Sequence, residues 1–456
     1  HWAADVADQW PQTCIDPALH AITDTVACMI SGAGDDAAKG VYKTTQAWSV
    51  AGGPATFVGN GNTTGPAPFA AFANGTAAHA QDFDDNFLPA LTHASAVLVP
   101  ALLALAEETG ASGRRIIDAY LVGLECHAAL GRGVNRSHYL KGWHATATVG
   151  CIGTAAACAR LLGLDAERTT HAMSLGVSMA AGLKGQFGSH AKPFQAGMAA
   201  QNAVLAASFA RDGVIGRPEV LDNAYGFLNL FGGDAPPGWN FEAYPLGNSQ
   251  GGSLHIIESH GLAPKCHPCC GSTHKSIDNL LDLKAQHGEL VPENVASMDA
   301  LVNTSNVRNL CFDDPQNEME ARFSMQYCLA VALKKGFLSL QDFTPEVVLR
   351  PDIRSLLPLT TMSATPPEAE LDPSGVFAHE LTVTLKSGDV LKISRTTPRG
   401  TLGDPFTDDD RRRKFEDCCL PTLGADATNR LYQGFNALAT HTDIKDLMKT
   451  MAMPSA

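Results

Sequence analysis

The sequence predicts a mainly α-helical protein, in which a large all-helical domain built from both chain ends is joined to a smaller α+β domain. Ala- and Gly-rich apolar stretches with helix-cap residues fill the first half, whereas apolar and polar residues alternate around a turn later in the chain. The expected domains are residues 1–262 with 405–456, and residues 263–404. Apolar residues make up 45% and charged residues 18% of the 456 residues, a balance that excludes disorder as the main state.

Helix-start and helix-stop residues bracket the apolar stretches of the first half. The predicted helices run from Thr92 or His93 to Thr109, from Ser112 toward Gly131, from His144 to Leu162, and from Phe194 to Asp212. Glycine follows three of them, as expected where a helix ends in a left-handed residue. Small residues occur on several faces of these helices, which suits helices with close neighbours on all sides.

The middle of the chain has a different pattern. The predicted elements are a strand over Met298–Asn303, a helix over Phe323–Lys335 ending at Gly336, Pro-rich loops over Pro358–Pro373, and strands over Phe377–Leu385 and Asp389–Ser394. The last two strands flank Lys386-Ser387-Gly388, which predicts a hairpin. A capping sequence at Thr407 then begins the return to helix.

Charge and apolar runs exclude some classes of partner. Asp and Glu total 47 against 33 Lys and Arg, a net charge of −14 that repels nucleic acid and anionic membrane surfaces. The longest apolar run identified, Ala94–Ala106, is shorter than the roughly 18 residues of a spanning helix. The 12 cysteines are scattered and indicate free thiols. We therefore expect a cytoplasmic protein with no nucleic-acid or membrane partner.

Two clusters have the composition of metal sites. Asp82, Asp84 and Asp85 could bind a divalent cation for a transferase reaction, or could form a solvated loop before a helix. Cys266 and Cys269 with a nearby His have zinc-ligand spacing, although a second pair of ligands is missing. No phosphate-binding glycine loop is present, which weakens the case for an organic cofactor.

Two basic side chains stand where predicted helices begin. His144 precedes an Ala-rich helix, where the helix dipole favours a neutral imidazole that can act as a base; a simple capping role is equally compatible. Ser189 and Lys192 have the Ser-x-x-Lys spacing of acyl-transfer enzymes, but Pro193 argues against both lying on one helical turn. Lys192 lies near several glycines, and we interpret it as an anion anchor.

Six short motifs occur in a characteristic order along nearly the whole chain. They are Asn74-Gly75 with His79-x-x-Asp82-Phe83-Asp84-Asp85, Thr92-His93, Gly142-Trp143-His144, Lys192 with Ala196-Gly197-x-Ala199-Ala200, Lys265-x-x-Pro268, and Phe323-Ser324-Met325-Gln326-Tyr327. With these motifs the sequence resembles the MmgE/PrpD family of dehydratases, decarboxylases and epimerases. The resemblance implies a helical domain, an α+β lid domain, a homodimer, and catalysis without a metal or cofactor.

The resemblance also implies a pocket around a small di- or tricarboxylate. Its residues would be Asp82, Asn86, His93, His144, Lys192, Lys265 and Tyr327. The two lysines would neutralise the substrate carboxylates and the charge that develops when an α-proton leaves. His93 or His144 would move the proton, and Asp82 would orient its neighbour.

Departures from the family pattern bear on the reaction. Asn86 stands where the dehydratases and decarboxylases have Thr, and Leu88 and Cys270 stand where the decarboxylase pattern has His. The pocket is thus two histidines short of that pattern, which weakens the case for a decarboxylase.

An epimerase of the iminodisuccinate type is therefore our expectation from sequence. It would abstract an α-proton from a small amino- or imino-dicarboxylate and return it to the other face. Tyr139, Lys192 and His144 could supply the acid and the base on opposite faces of the carbon. The alternative is a hydro-lyase of the 2-methylcitrate dehydratase type, or a cis-aconitate decarboxylase.

Overall fold

The computed structural model describes residues 1–232, 255–288, 290–366 and 377–451. The chain forms two compact units. The first contains His1–Gln186, His190–Pro264 and Asp408–Ala456, and the second contains Phe187–Ser189 and Lys265–Thr407. The first is helical and the second combines helices with a mixed sheet, so the predicted mainly helical class is confirmed.

The first part of the helical unit consists of helices and one short ribbon. The helices are α1 (Trp2–Asp5), α2 (Gln12–Gly32), α3 (Asp36–Trp48), α4 (Ala67–Ala80), α5 (Ala94–Thr109), α6 (Gly113–Val134), α7 (Ser137–Leu140), α8 (Ala145–Leu162), α9 (Ala166–Met179), α10 (Ala191–Arg211), α11 (Phe227–Gly232) and α12 (Ile256–Ser259). The ribbon pairs β1 (Ala55–Thr56) with β2 (Thr64–Gly65) in antiparallel fashion. It departs from the all-helical prediction for this unit.

Cap residues explain why these helices begin and end where they do. Ser112 accepts a hydrogen bond from Arg115 N in the first turn of α6, and the glycines after α5 and α8, Gly110 and Gly163, are left-handed. The predicted starts at His93 and His144 are confirmed as N-cap positions. Helix α10 begins three residues earlier than predicted, so Lys192 lies in its first turn.

Four central helices of this unit pack closely because their facing residues are small. Helix α10 contacts α4, α5 and α8, and α4 contacts α5. A Cβ added at Gly197 of α10 would lie 2.2 Å from Thr76 Oγ1 and 2.3 Å from Phe72 O of α4. Only glycine allows this approach, which brings the C-terminal end of α4 and the first turns of α10 into one region.

Helix α8 is the one helix of the described residues that is long and apolar enough to cross a membrane by length and composition. It has 18 residues, and 89% of them are buried inside the chain. This corrects the expectation that no apolar run reaches the roughly 18 residues of a spanning helix. A buried core helix passes the same test, so the feature is weak evidence for a membrane span.

The second unit contains six α-helices in its described residues and a four-stranded sheet. The elements are α13 (Gly271–Gln286), β3 (Val295–Val302), α14 (Thr304–Asn309), α15 (Glu318–Ala321), α16 (Met325–Lys335), α17 (Pro345–Val348), α18 (Pro351–Arg354), β4 (Thr360–Ala364), β5 (His379–Leu385) and β6 (Val390–Arg395). The strand order is β4-β3-β5-β6; β3 is parallel to β4, and the other pairs are antiparallel.

The sheet shows where sequence patterns sufficed. The hairpin of β5 and β6 is confirmed, with Leu381 opposite Ile393, and helix α16 ends at Gly336 as predicted. Strand β4 lies inside the stretch predicted as Pro-rich loops, because a short edge strand beside prolines has too few residues for a clear alternation. The remainder of that stretch, from residue 367 to Pro373, lies outside the described residues.

The chain returns to the helical unit through α19 (Asp408–Asn436) and α20 (Lys445–Lys449). Helix α19 is kinked at Gly424 and packs against α2. Its Lys414, which is buried, donates to Asp24 Oδ2 and to the carbonyl oxygen of Phe83, both at 2.7 Å. Helix α19 therefore holds the acidic turn that follows α4 in place through Lys414.

Candidate active site

The acidic turn after α4 carries a buried histidine–carboxylate pair. His79, at the end of α4, places Nδ1 2.8 Å from Asp84 Oδ2, and both side chains are fully buried. Burial would by itself raise the pKa of Asp84, but the imidazoles of His79 and His93 hold it well below its usual range. Burial lowers the pKa of His79 to about 4, against the opposing effect of Asp84. At neutral pH the pair is therefore a neutral imidazole donating to a carboxylate.

His93, the N-cap of α5, lies beside this pair. Its ring centroid is 4.5 Å from that of His79, and its Nδ1 is 2.9 Å from the carbonyl oxygen of Asp85 and 3.3 Å from Asp84 Oδ2. The backbone N–H of His93 donates to Thr146 Oγ1 at 3.0 Å. Because both neighbours of Nδ1 are acceptors, the proton of a neutral His93 lies on Nδ1.

His144, the N-cap of α8, completes a group of three imidazoles. Its ring centroid is 5.9 Å from that of His79, with 23° between the two ring planes, and its Nδ1 is 2.7 Å from Gln195 Oε1. Gln195 Nε2 donates to the carbonyl oxygen of Leu183 at 3.3 Å, which fixes Oε1 as the atom that accepts from His144. Burial, with smaller effects of His79 and Lys192, lowers the pKa of His144 well below its usual value.

The three imidazoles thus share one tautomer. In each, Nδ1 faces an oxygen acceptor: Asp84 for His79, the Asp85 carbonyl for His93, and Gln195 for His144. Nε2 of each neutral ring then carries the lone pair that can accept a proton. For His79, Nε2 is buried and has no hydrogen-bond partner among the described residues. We refer to His79, His93 and His144 as the histidine cluster.

Lys192 and Asp82 form a buried ion pair next to this cluster. Lys192 Nζ donates to Asp82 Oδ1, and the two side chains are 4% and 3% exposed. Asp82 has a φ of +51°, a left-handed conformation that Asp adopts more readily than most residues. Burial is the main cause of the lowered pKa values of His79 and His144, and the positive charge of Lys192 lowers both further. The expected anion anchor is therefore held by a carboxylate of the protein itself.

The three carboxylates of the acidic turn face different partners. Asp85 accepts from Ser95 Oγ, which also lies 2.7 Å from Tyr120 Oη, and burial raises the pKa of Asp85 to about 7. Asp82 binds Lys192, and Asp84 binds the histidines. This arrangement does not support the predicted alternative in which all three bind one cation, because Asp85 serves a separate network.

A different combination of ligands could hold a metal. Single ligand atoms of His79, Asp82, Asp84 and His93 lie within 4.8 Å of one another. The ammonium group of Lys192 on Asp82 opposes a second cation there, and Asp84 is already bonded by His79. The donor set is thus compatible with a divalent cation, but the ion pairs present already balance much of its negative charge.

The other predicted site residues occupy different surroundings. Tyr139 lies on α7 with Lys184 Nζ 3.5 Å above its ring, and Asn86 pairs through its backbone with Ala263. Lys265 and Tyr327 belong to the second unit, and both are buried. The Tyr327 hydroxyl donates to the Asp342 carbonyl oxygen, and burial raises its pKa above the usual value. These contacts give Tyr327 the environment of a core residue.

The residues of the predicted zinc alternative, Cys266 and Cys269 with a nearby His, lie in the second unit, where several of the possible ligands have other partners. Cys269 Sγ lies 3.1 Å from Thr273 Oγ1, His274 Nε2 lies 3.2 Å from the Cys269 carbonyl oxygen, and His267 Nε2 is 3.0 Å from Asp278. Of the potential metal-ligand groups found in the described ranges, none includes these residues. The His–Asp pair and the backbone contact account for the imidazoles that zinc would need.

Sequence patterns do not identify the acid–base role of three residues that the structure places in or beside the histidine cluster. His79 occurs there only within a motif and Asp84 only as a candidate metal ligand, since only the turn geometry reveals that they bind each other. Their spacing, a His at a helix end followed by Asp five residues later, was the available signal. Gln195 had no signal, because one Gln on a helix of small residues is indistinguishable from a surface residue.

Models of the two MmgE/PrpD domains match most of the chain. The MmgE/PrpD N-terminal domain matches residues 1–240 and the MmgE/PrpD C-terminal domain matches residues 267–436. The second match extends into α19, which the contacts assign to the helical unit.

Curated relatives carry the names of lyases. The chain is 28% identical over 398 residues to cis-aconitate decarboxylase of Homo sapiens, covering 86% of this chain and 80% of the relative. It is 26% identical over 455 residues to cis-aconitate decarboxylase of Aspergillus terreus, covering 92% and 91%. It is 27% identical over 471 residues to the cis-aconitate decarboxylase-like protein oryM of Aspergillus oryzae, covering 96% and 93%. These names favour the lyase alternative over the epimerase expected from sequence.

Proposed function

Because the chain belongs to the MmgE/PrpD family, we propose that it is a lyase acting on a small tricarboxylate of the cis-aconitate kind, with decarboxylation as its reaction. One observation supports this most directly: three neighbouring imidazoles, of which those of His79 and His144 are buried, share a tautomer with the proton on Nδ1 and the lone pair on Nε2. Such a cluster can take up and deliver protons without a cofactor. The names of the relatives support the substrate class.

Substrate binding would change the protonation of the cluster. Without substrate, burial keeps the pKa of His79 near 4 and that of His144 well below its usual value, so both rings are neutral at pH 7. A substrate carboxylate placed beside them adds negative charge, which raises the pKa of an imidazole. One ring then becomes an imidazolium that can donate from Nε2.

The proposed reaction uses that proton. The carbon–carbon bond to one carboxylate breaks, carbon dioxide leaves, and the electron pair left on carbon, delocalised toward a neighbouring carboxylate, accepts the proton from the imidazolium. Asp84 and Gln195 keep the rings of His79 and His144 oriented throughout, since each accepts from Nδ1. Lys192 stabilises the delocalised negative charge from its position on Asp82. One proton is consumed for each carbon dioxide released.

An epimerase remains a second candidate because of two positions. Leu88 and Cys270 stand where the decarboxylase pattern has His, and Leu88 is 58% exposed in the structure. An epimerase needs only removal and return of one α-proton, for which the histidine cluster suffices. The same cluster would also serve a dehydratase, in which one ring removes the proton and another protonates the leaving hydroxide.

The test is proton NMR in deuterium oxide with chelator present, offering cis-aconitate, 2-methylcitrate and iminodisuccinate in turn. Decarboxylation predicts loss of a carboxylate from cis-aconitate with one deuterium added to carbon. Interconversion of iminodisuccinate stereoisomers with deuterium exchange and no loss of mass would replace the proposal with the epimerase. Water loss from 2-methylcitrate would replace it with the dehydratase.

A matched pair of variants assigns the activity to the cluster. His144→Asn removes a cluster imidazole, whereas His127→Asn removes a buried imidazole of α6 whose Nε2 is 3.1 Å from Thr154 Oγ1. We expect kcat to fall by about 10²- to 10⁴-fold in the first variant. The folded fraction of the second should retain kcat within a few-fold. Equal loss in both variants would refute the assignment.

A further inference from the structure

A second group of potential ligand residues lies in the helical unit, at positions far apart in sequence. Cys14 is in the first turn of α2, His255 is the N-cap of α12, and Glu258 is in the first turn of α12. Single ligand atoms of these three residues lie within 4.8 Å of one another. A thiol, an imidazole and a carboxylate are the three ligand types that zinc binds in proteins.

A buried carboxylate lies beside this group and has no Lys or Arg partner among the described residues. Glu125 of α6 is 1% exposed; its Oε1 accepts from Ile256 N at 2.8 Å and lies 3.6 Å from His255 Nδ1. Glu125 Oε2 and His255 Nδ1 are both buried without a hydrogen-bond partner among the described residues. Unsatisfied buried polar atoms of this kind are costly and require an explanation.

The electrostatics of the group favour a cation. In the part of the chain that the structure describes, neither Glu125 nor Glu258 forms an ion pair with Lys or Arg. A bound cation would supply positive charge beside these carboxylates and would stabilise the thiolate form of Cys14.

The surrounding contacts hold the ligand side chains in place. Glu258 accepts hydrogen bonds from Thr13 Oγ1 and from His255 N, the latter at 3.0 Å. The indole of Trp10 packs edge-on against the His255 imidazole at 4.9 Å. Metal sites commonly have such outer contacts, which orient the ligands.

We propose that Cys14, His255 and Glu258 bind a divalent transition-metal ion of the zinc type, with the Glu125 carboxylate adjacent to the imidazole. Zinc bonds of about 2.0–2.3 Å require ligand atoms roughly 3–4 Å apart, a contraction that side-chain rotation can supply. The ion would join the starts of α2 and α12 to the middle of α6. This role is structural and does not depend on the function proposed for the histidine cluster.

The test uses the full chain, dialysed against chelator and then titrated with cobalt(II) alone, with zinc added afterwards in competition. Cobalt bound by a thiolate gives a near-ultraviolet charge-transfer band, which the histidine cluster cannot give because it contains no sulfur. We expect the band to saturate at one cobalt per chain, and zinc to abolish it. Absence of the band at saturating cobalt would overturn the proposal.

Four variants locate the site. Cys14→Ser should abolish the charge-transfer band, and His255→Gln and Glu125→Gln should each weaken cobalt binding, the latter by about 10- to 100-fold as for an outer carboxylate. Cys28→Ser, which changes another buried thiol of the same helix, should leave the band and the affinity unchanged. An undiminished band in Cys14→Ser would refute the site, since exposed Cys311 or another thiol would then be the ligand.

Melting temperature provides a second readout that does not depend on the spectrum. Zinc should raise the melting temperature of the wild-type chain and of Cys28→Ser, because a ligand bound only by the folded state stabilises it. It should have no such effect on His255→Gln, which retains the Cys14 thiol. If His255→Gln fails to fold, Glu125→Gln answers the same question, and an equal zinc effect on Glu125→Gln and wild type would count against the proposal.

Discussion

Both units of the molecule contain a buried histidine–aspartate pair, and the two pairs differ in what surrounds them. His79 Nδ1 is 2.8 Å from Asp84 in the helical unit, and His267 Nε2 is 3.0 Å from Asp278 in the other unit. Asp278 also accepts a hydrogen bond from Arg399 N at 2.9 Å, so the carboxylate of the second pair is shared with a backbone N–H group. Asp84 instead faces a second imidazole, that of His93.

The two pairs differ at the ring nitrogen of the histidine that is not hydrogen-bonded to the aspartate. His79 keeps a buried Nε2 without a partner among the described residues, next to the rings of two further histidines and near the charge of Lys192. No buried nitrogen of His267 is left in that condition in the described ranges. The same pair of residue types thus orients a base in the helical unit. In the other unit it stabilises the packing of His267 and Arg399 against Asp278. Burial alone therefore does not identify a catalytic histidine.

The sharpest test of this comparison replaces the carboxylate of each pair. Asp84→Asn keeps the size of the side chain but allows its amide to donate to Nδ1, which reverses the tautomer of His79. We expect kcat to fall by about 10²- to 10⁴-fold with the fold retained. Asp278→Asn should lower the free energy of unfolding and leave kcat of the folded fraction within a few-fold. Steady-state kinetics with parallel denaturation curves measure both, and an activity loss confined to Asp278→Asn would invert our interpretation.

The second test separates charge from stability at the ion pair beside the cluster. Lys192→Met leaves the Asp82 carboxylate buried without its ammonium, and we expect a loss of about 3–5 kcal/mol in the free energy of unfolding. Adding Asp82→Asn removes the buried negative charge and should restore most of that stability. Substrate affinity, measured as KM or by calorimetry, should remain low in the double variant because the cation is still missing. Recovery of affinity together with stability would show that Lys192 has only a structural role.

Sequence patterns predicted features that depend on neighbouring residues and missed those that depend on distant ones. Helix-start patterns predict His93 and His144 because a cap acts within one turn, and the glycines near Lys192 indicate an anion anchor. The pairing of Lys192 with Asp82 joins residues 110 positions apart. It follows from the approach of α10 to α4, which no local pattern encodes.

The predicted site was incomplete for the same reason. Gln195 assigns the tautomer of His144 only because α10 lies against the start of α8. The family motif implies that Tyr327 lies in the substrate pocket, yet its hydroxyl donates to the Asp342 carbonyl oxygen inside the second unit. Residue type thus indicated which side chains could act, whereas packing decided which nitrogen and oxygen atoms remain available to a substrate.

The third test uses pH and a histidine outside the cluster. Burial lowers the pKa of His127 to about 3, so its folded-state pKa is below the unfolded value of about 6.5. Its contribution to stability is present above pH 6.5 and is lost as the pH falls toward 3. Between pH 7 and pH 4.5 we expect it to remove about 2–3 kcal/mol. Denaturation curves of wild type and His127→Asn at the two pH values give this difference.

Asp85 should change stability with pH in the direction opposite to His127, so the two contributions can be told apart. Burial raises its pKa to about 7, so its contribution is greatest below pH 4 and declines as the pH rises through 7. Asp85→Asn should therefore remove a loss of stability that accumulates as the pH rises from about 4 to about 7. His127→Asn should remove a gain of stability that accumulates as the pH rises from about 3 to about 6.5. If both substitutions changed the slope of stability against pH in the same direction, the assignment of the shifts to these two residues would be wrong.

The smallest expected effect tests the packing that assembles the histidine cluster. Gly197→Ala places a Cβ 2.3 Å from the Phe72 carbonyl oxygen, so α10 and α4 must move apart, and we expect a cost of about 1–3 kcal/mol. Because α4 carries His79 and α10 carries Lys192 and Gln195, kcat should also fall in the folded fraction. Gly288→Ala in the second unit, with nothing within 4 Å of the added Cβ, should change neither quantity. A stability loss in Gly197→Ala without any change in kcat would mean that the cluster tolerates helix movement, and that its tautomers, rather than the helix spacing, determine its chemistry.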